Sequence, residues 1–188
     1  MQEIIPGLYL GSVFTAKESK LSQLLKIGIT HVVCARHEKE TTSKSGNFPE
    51  NFEYLVISFL DGNIIPVFPK VNNFIEKCFR SGGKVLVHGN VGVSCSAALV
   101  MAYLMENKAL SYNDAYSLIV SKRHCVQMTT DCVNQLKEYE PIYQARSTYS
   151  RGHTSKLSDD QGKLKRRYDE AIDSETNNRM EVCEETQA

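Results

Sequence analysis

Several absences in this chain each remove a class of function. There is no net charge: 22 Lys and Arg stand against 22 Asp and Glu. A general nucleic-acid binder needs a basic surface, so that class is excluded. No apolar run reaches the ~18 residues that a membrane helix needs, and the mean hydropathy is −0.32. The opening Met1-Gln2-Glu3-Ile4-Ile5-Pro6 lacks the basic and apolar regions of a secretory signal. A soluble, intracellular protein is expected, cytoplasmic or nuclear, acting away from membranes. The six cysteines Cys34, Cys78, Cys95, Cys125, Cys132 and Cys183 form no C-x-x-C pair, and no Cys/His spacing is ligand-like. No metal and no cofactor is expected. Cys34 and Cys78 lie inside apolar patterns and read as small buried core residues of a reducing compartment. No internal repeat is visible, and 188 residues suggest one domain with a tail.

The composition changes near Ser147. Residues 147–188 hold seven Lys/Arg and nine Asp/Glu with few aliphatics, a local charge of −2, which leaves 1–146 at +2. So polar a segment buries too little apolar area to offset its ordering entropy, and a disordered tail is expected. Within it, Lys163 to Arg167 suits a weak nuclear-import patch, and Asp169 to Glu185 is acidic.

Dense apolar periodicity fills 1–146. Strands are predicted at Leu8–Leu10, Thr30–Cys34, Phe52–Phe59 and Lys84–Val87. Helices are predicted at Lys20–Ile27 (ended by Gly28), Pro66–Arg80, Ala97–Asn107, a segment opened by the Ser111-Tyr112-Asn113-Asp114 capping pattern and running to Ser121, and Thr130–Ala145. Ala97–Asn107 is apolar almost all round, as a central buried helix would be. Interleaved strands and helices imply an α/β fold with a parallel-rich central sheet flanked by helices.

The most informative segment is His88-Gly89-Asn90-Val91-Gly92-Val93-Ser94-Cys95-Ser96. It joins a buried strand to a buried helix through a loop with two glycines. Backbone N–H groups converge in such a turn, and the helix dipole favours an anion there. A plain strand-to-helix turn explains the same geometry equally well.

The residues decide between these. The segment resembles the phosphate loop of the protein tyrosine and dual-specificity phosphatases, His-Cys-x-x-Gly-x-x-Arg-Ser, with His88, Gly92 and Ser96 in register. Ile5 to Gly11, Gly28 to Val33, Gly82 to His88 and Leu136 to Glu140 are similar to further dual-specificity phosphatase landmarks, in order, and the likeness covers nearly all of 4–146. Within the family it is closest to the catalytically inactive phosphoserine/threonine/tyrosine-interacting branch, which also carries glycine at the nucleophile position. The resemblance implies the phosphatase fold and two departures in chemistry. Gly89 stands where the family has its cysteine nucleophile, so no phosphocysteine can form, a loss on the order of 10⁶ in rate. Cys95 stands where the family has its phosphate-forking arginine, a further loss of roughly 10²–10⁴ in phosphate affinity.

The resemblance therefore implies a pseudophosphatase: a non-catalytic, monomeric domain that binds proteins, either phosphorylated on Ser, Thr or Tyr or MAP-kinase-type kinases, and that competes with active phosphatases or anchors a kinase. A phosphate-independent scaffold acting through the tail or another surface is the alternative, and a cryptic phosphatase using Cys95 a remote third. Asp61 matches the family's general-acid loop, although turn formation beside Gly62 accounts for it as well. Ser96 reads as a helix N-cap and His88 as a satisfied buried histidine that positions the loop. Arg123 to Thr129 sits where the family has an Arg-x-x-x-x-Pro-Asn loop, with Met128 and Thr129 replacing Pro-Asn in a drifting rim.

Overall fold

The computed structural model describes residues 1–37, 48–59 and 62–146. The tail beyond 146, with its basic and acidic segments, and Asp61 lie outside the described residues. The architecture below belongs to the unit Met1–Tyr143.

Five strands form one sheet in the order β1-β2-β5-β3-β4. β1 (Gln2–Ile5) and β2 (Leu8–Ser12) are antiparallel. Their turn places Gly7 at φ 82°, and the Gly7 N–H donates to Glu3 Oε1 at 2.9 Å. β3 (Ile29–His37), β4 (Glu53–Phe59) and β5 (Lys84–Gly89) add in parallel. The parallel-rich sheet was legible in the sequence, but β1 was not: Gln2 and Glu3 are exposed, so half of its apolar signal is missing.

Strand alternation sorts side chains between the two sheet faces. Val33, Val85 and Val87 face a large core, whereas Val32 and Leu86 face a small one with Leu24, Ile29 and Phe52. The small face is covered by α1 (Leu21–Ile27), which ends at Gly28 with φ 86°. The large face carries α2 (Phe68–Arg80), α3 (Cys95–Asn107) and α4 (Tyr112–Lys122), together with α5 (residues 130–146) as far as Tyr143. Side chains of α3 from Ser96 to Met105 are all buried, so this is the predicted central helix. Along α5, Cys132, Leu136, Tyr139 and Tyr143 are buried at helical spacing. The capping pattern forms as expected: Asp114 N–H donates to Ser111 Oγ at 3.2 Å, and Ser111 Oγ donates to Asp114 Oδ2 at 2.7 Å. Cys78 is fully buried, but Cys34 is only half-buried on β3. It sits toward the strand's C-terminal end, opposite His88, where the sheet approaches the loop. No helix among the described residues is long and apolar enough to cross a membrane.

Candidate functional site

The loop after β5 forms one wall of an open cavity of about 220 Å³, lined by residues 89–96 with Ala35, Arg36, Gly62 and Ile64. It lies beyond the C-terminal ends of β3 and β5, where ligands collect in parallel sheets.

Four consecutive loop carbonyls are held from outside this cavity. The Asn90 carbonyl accepts from Val13 N–H at 3.1 Å and the Val93 carbonyl from Gln127 N–H at 3.1 Å. Arg123 donates from Nε to the Gly92 carbonyl at 2.9 Å and from Nη2 to the Val91 carbonyl at 3.2 Å. In a trans peptide the C=O and the following N–H point opposite ways, so the N–H groups of Val91, Gly92, Val93 and Ser94 turn inward. Gly92 makes this possible with φ 75°, and a Cβ there would run into the Gly11 carbonyl of β2. An inward set of amides at the start of α3 suits an anion.

The chemistry that would act on such an anion is absent from the two positions identified in the sequence. Gly89 ends β5 and is buried, and a Cβ built on it would lie 3.1 Å from Ser96 Oγ and 3.3 Å from the Ala35 carbonyl oxygen. A small side chain at the cavity floor would therefore be tight, fitting only if Ser96 and the Ala35 carbonyl give by a few tenths of an ångström. The buried Ser96 Oγ has no hydrogen-bond partner among the described residues. Cys95, first residue of α3, is half-buried and lines the cavity. It brings no positive charge. The cation of the lining is Arg36, from the end of β3, whose Nε lies 3.4 Å from Ser58 Oγ.

Two expectations need correction. Ser96 is not the N-cap. Ala98 N–H already bonds the Ser94 carbonyl at 2.8 Å, so α3 starts at Cys95 and Ser94 takes the cap position. Ser96 is thus inside the first turn, with its hydroxyl toward Gly89. His88 is buried as expected, but its Nδ1 finds no partner among the described residues. Burial holds its pKa below the ordinary histidine value, opposed by a hydrogen bond at the Gly89 backbone, so the ring is neutral at pH 7. The segment after α4, whose Met128 and Thr129 depart from the family pattern, braces the loop. Arg123 grips two loop carbonyls, and Thr129 N–H donates to Ser94 Oγ at 3.2 Å.

Two residues of the site escaped the sequence reading. Arg36 carried a usable signal, because it lies two residues beyond the predicted strand Thr30–Cys34, which the structure extends through it as β3. Cys132 carried none. It meets Ser94 and Cys95 only through the tertiary fold, since Ser94 and Cys132 are 38 positions apart in the chain.

Comparison with known proteins agrees with this geometry. The family model for the dual specificity phosphatase catalytic domain matches residues 8–142. Serine/threonine/tyrosine-interacting protein A of Xenopus laevis is 48% identical over 151 residues, covering 79% of this chain and 68% of that protein. The human serine/threonine/tyrosine-interacting protein is 46% identical over 151 residues, with the same coverage of 79% and 68%. The crystal structure of human tyrosine phosphatase-like serine/threonine/tyrosine-interacting protein matches with a TM-score of 0.73 at 46% identity, covering 77% of this chain and 97% of that one. The crystal structure of human DUSP28 matches with a TM-score of 0.69 at 27% identity, over 78% and 99%. The chain belongs to the dual-specificity phosphatase family, and within it is similar to the serine/threonine/tyrosine-interacting proteins.

Proposed function

We propose that this chain is a pseudophosphatase, a catalytically silent phosphatase domain that works by binding protein partners. One observation carries the reading. At the cavity floor, where the family attacks phosphorus, Gly89 offers no side chain and the neighbouring Ser96 hydroxyl is left without a partner. Covalent catalysis needs a nucleophile at that point, and Cys95 stands six residues further along, at a position where it brings no guanidinium of its own to the loop amides. The loop scaffold is nevertheless kept, which suits recognition more than decay. Candidate partners are proteins phosphorylated on Ser, Thr or Tyr and MAP-kinase-type kinases, held in competition with active phosphatases or anchored directly.

The decisive experiment has two arms. The purified chain should not hydrolyse p-nitrophenyl phosphate above a heat-denatured control. Activity abolished by Cys95→Ser would replace this reading with a relocated cysteine enzyme. Calorimetric titration of a phosphopeptide and its unphosphorylated twin then tests the pocket. Tighter binding of the phosphopeptide supports recognition by the inward amides and Arg36.

Equal affinity supports a scaffold that ignores phosphate. A specific observation favours that second reading. Val91 in the cavity lining is 62% exposed, and Phe14, next in the chain to the Val13 that bonds the loop at Asn90, is 64% exposed, and large apolar side chains this exposed are the usual anchors of a protein contact.

A further inference from the structure

We propose that Cys95 and Cys132 form an oxidant-reactive dithiol at the cavity wall, which a peroxide closes to a disulfide. The two residues start different helices: Cys95 is the first residue of α3 and Cys132 lies in the first turn of α5. The fold brings their thiols into hydrogen-bond contact. Cys95 lines the cavity and meets solvent, whereas Cys132 sits behind it at 4% exposure. A two-oxygen molecule entering the cavity therefore meets Cys95 first, with a second sulfur already in place to resolve the product.

The surroundings favour a thiolate. Ser94 Oγ donates to Cys132 Sγ at 3.4 Å, and Thr129 is also bonded to this thiol. The hydrogen bond from Cys95 is the largest influence, the two hydroxyls add to it, and burial and the Asp131 carboxylate oppose it. The Cys132 thiol is thereby pulled down to about 6. Both helix N-termini act in the same direction. Cys78 is the contrast: it is equally buried, but burial pushes its thiol up.

The reaction balances with hydrogen peroxide as the oxidant. One proton leaves the pair, and the remaining proton moves to Cys132, so that Cys95 attacks as thiolate. It displaces hydroxide from the peroxide and becomes a sulfenic acid. The hydroxide takes the Cys132 proton as water. The Cys132 thiolate then attacks the Cys95 sulfur and expels a second hydroxide, which solvent protonates. Two thiols and one peroxide give one disulfide and two waters. This chemistry needs no partner and is independent of the proposed function.

The test uses the full chain with Cys125→Ser, because the tryptic peptide 124–137 otherwise contains both Cys125 and Cys132. After peroxide treatment and alkylation, peptide mapping should find 85–108 linked to 124–137 as the main oxidised species, reversed by dithiothreitol. Cys95→Ser and Cys132→Ser should each abolish the link. Because the mapped chain retains both thiols, a folding failure of either variant does not decide the result. The rate of linking should fall about tenfold between pH 7 and pH 5 and change little above pH 7. Oxidation of Cys95 to sulfinic acid without the link, or a rate still climbing tenfold from pH 7 to pH 8.5 as for an ordinary thiol, would overturn the proposal.

Discussion

Two glycines three residues apart in one loop are glycine for opposite reasons. Gly92 has φ 75°, and any Cβ there would strike the Gly11 backbone. No side chain of any chemistry fits. Gly89 has neither constraint. It ends a β-strand, its φ is not positive, and a Cβ would touch Ser96 Oγ at 3.1 Å and the Ala35 carbonyl oxygen at 3.3 Å. Those contacts are tight but relieved by shifts of a few tenths of an ångström. The loop therefore keeps the glycine its backbone requires and has a second one at the position where, on the proposed reading, the family carries its nucleophile. Shape and reactivity are separable properties of this loop, and substitutions at each position test that separation.

The largest effect is expected from restoring chemistry without touching shape. Gly89→Cys combined with Cys95→Arg should hydrolyse p-nitrophenyl phosphate, with a gain on the order of 10⁶ over the unmodified chain if the loop amides are positioned as described. Gly89→Cys alone should reach only about 10⁻²–10⁻⁴ of the double variant, because nothing forks the phosphate oxygens. Equal rates for single and double variants would mean that Arg36 already supplies the missing cation. No activity in either, with the fold intact by circular dichroism, would break the comparison by showing that the loop has lost its shape as well.

Next comes the direct contrast between the glycines. Gly92→Ala should cost at least about 3 kcal/mol in urea unfolding, since a left-handed alanine is strained and the clash is with backbone. Gly89→Ala should stay within about 1 kcal/mol of zero. There a small packing cost is offset by the lower entropy of the unfolded chain. Similar losses at both positions would refute the distinction.

Arg123 extends the contrast to what holds the loop from behind. Arg123→Ala removes two charge-assisted hydrogen bonds to the Gly92 and Val91 carbonyls and should cost about 1.5–3 kcal/mol. Arg123→Lys should recover less than half of that, because a single ammonium cannot reach both carbonyls as a planar fork does. In the rescued double variant, Arg123→Ala should also lower the rate, as the amides lose their orientation.

The sequence was most legible where local pattern and tertiary environment agree. The strand–loop–helix frame around 84–107 follows from apolar runs buried on every side, and Ser111 with Asp114 announces its helix start through a local bond. Gly92 was legible through the family pattern. What failed was finer. Helix α3 starts two residues earlier than its apolar run because Ser94, a polar residue, supplies the first helical carbonyl. The cap assignment for Ser96 moved with it. β1 is an edge strand with exposed polar residues, so alternation could not reveal it. The meeting of Cys95 with Cys132 depends on how α5 returns to the loop, which no local pattern encodes.

The smallest effect concerns His88, which borders the empty position. Burial lowers its folded-state pKa from the ordinary 6.5, so below pH 6.5 the unfolded chain binds a proton that the native ring refuses. Stability therefore falls as the pH drops from 6.5 toward the lowered folded value, by at most about 1.4 kcal/mol per pH unit for this one proton. His31 is also held low, by burial against the opposing pull of Glu53, and adds its own share in the same window. His88→Gln should reduce the slope of unfolding free energy against pH between 5 and 6.5 while leaving the His31 share in place. In the Gly89→Cys background a thiolate beside the ring would favour the imidazolium, raise the folded pKa and flatten the slope without removing the histidine. A slope unchanged by both substitutions would mean that His88 accepts its proton in the native state, and that the environment of position 89 is more polar than a buried glycine next to an unpartnered hydroxyl should be.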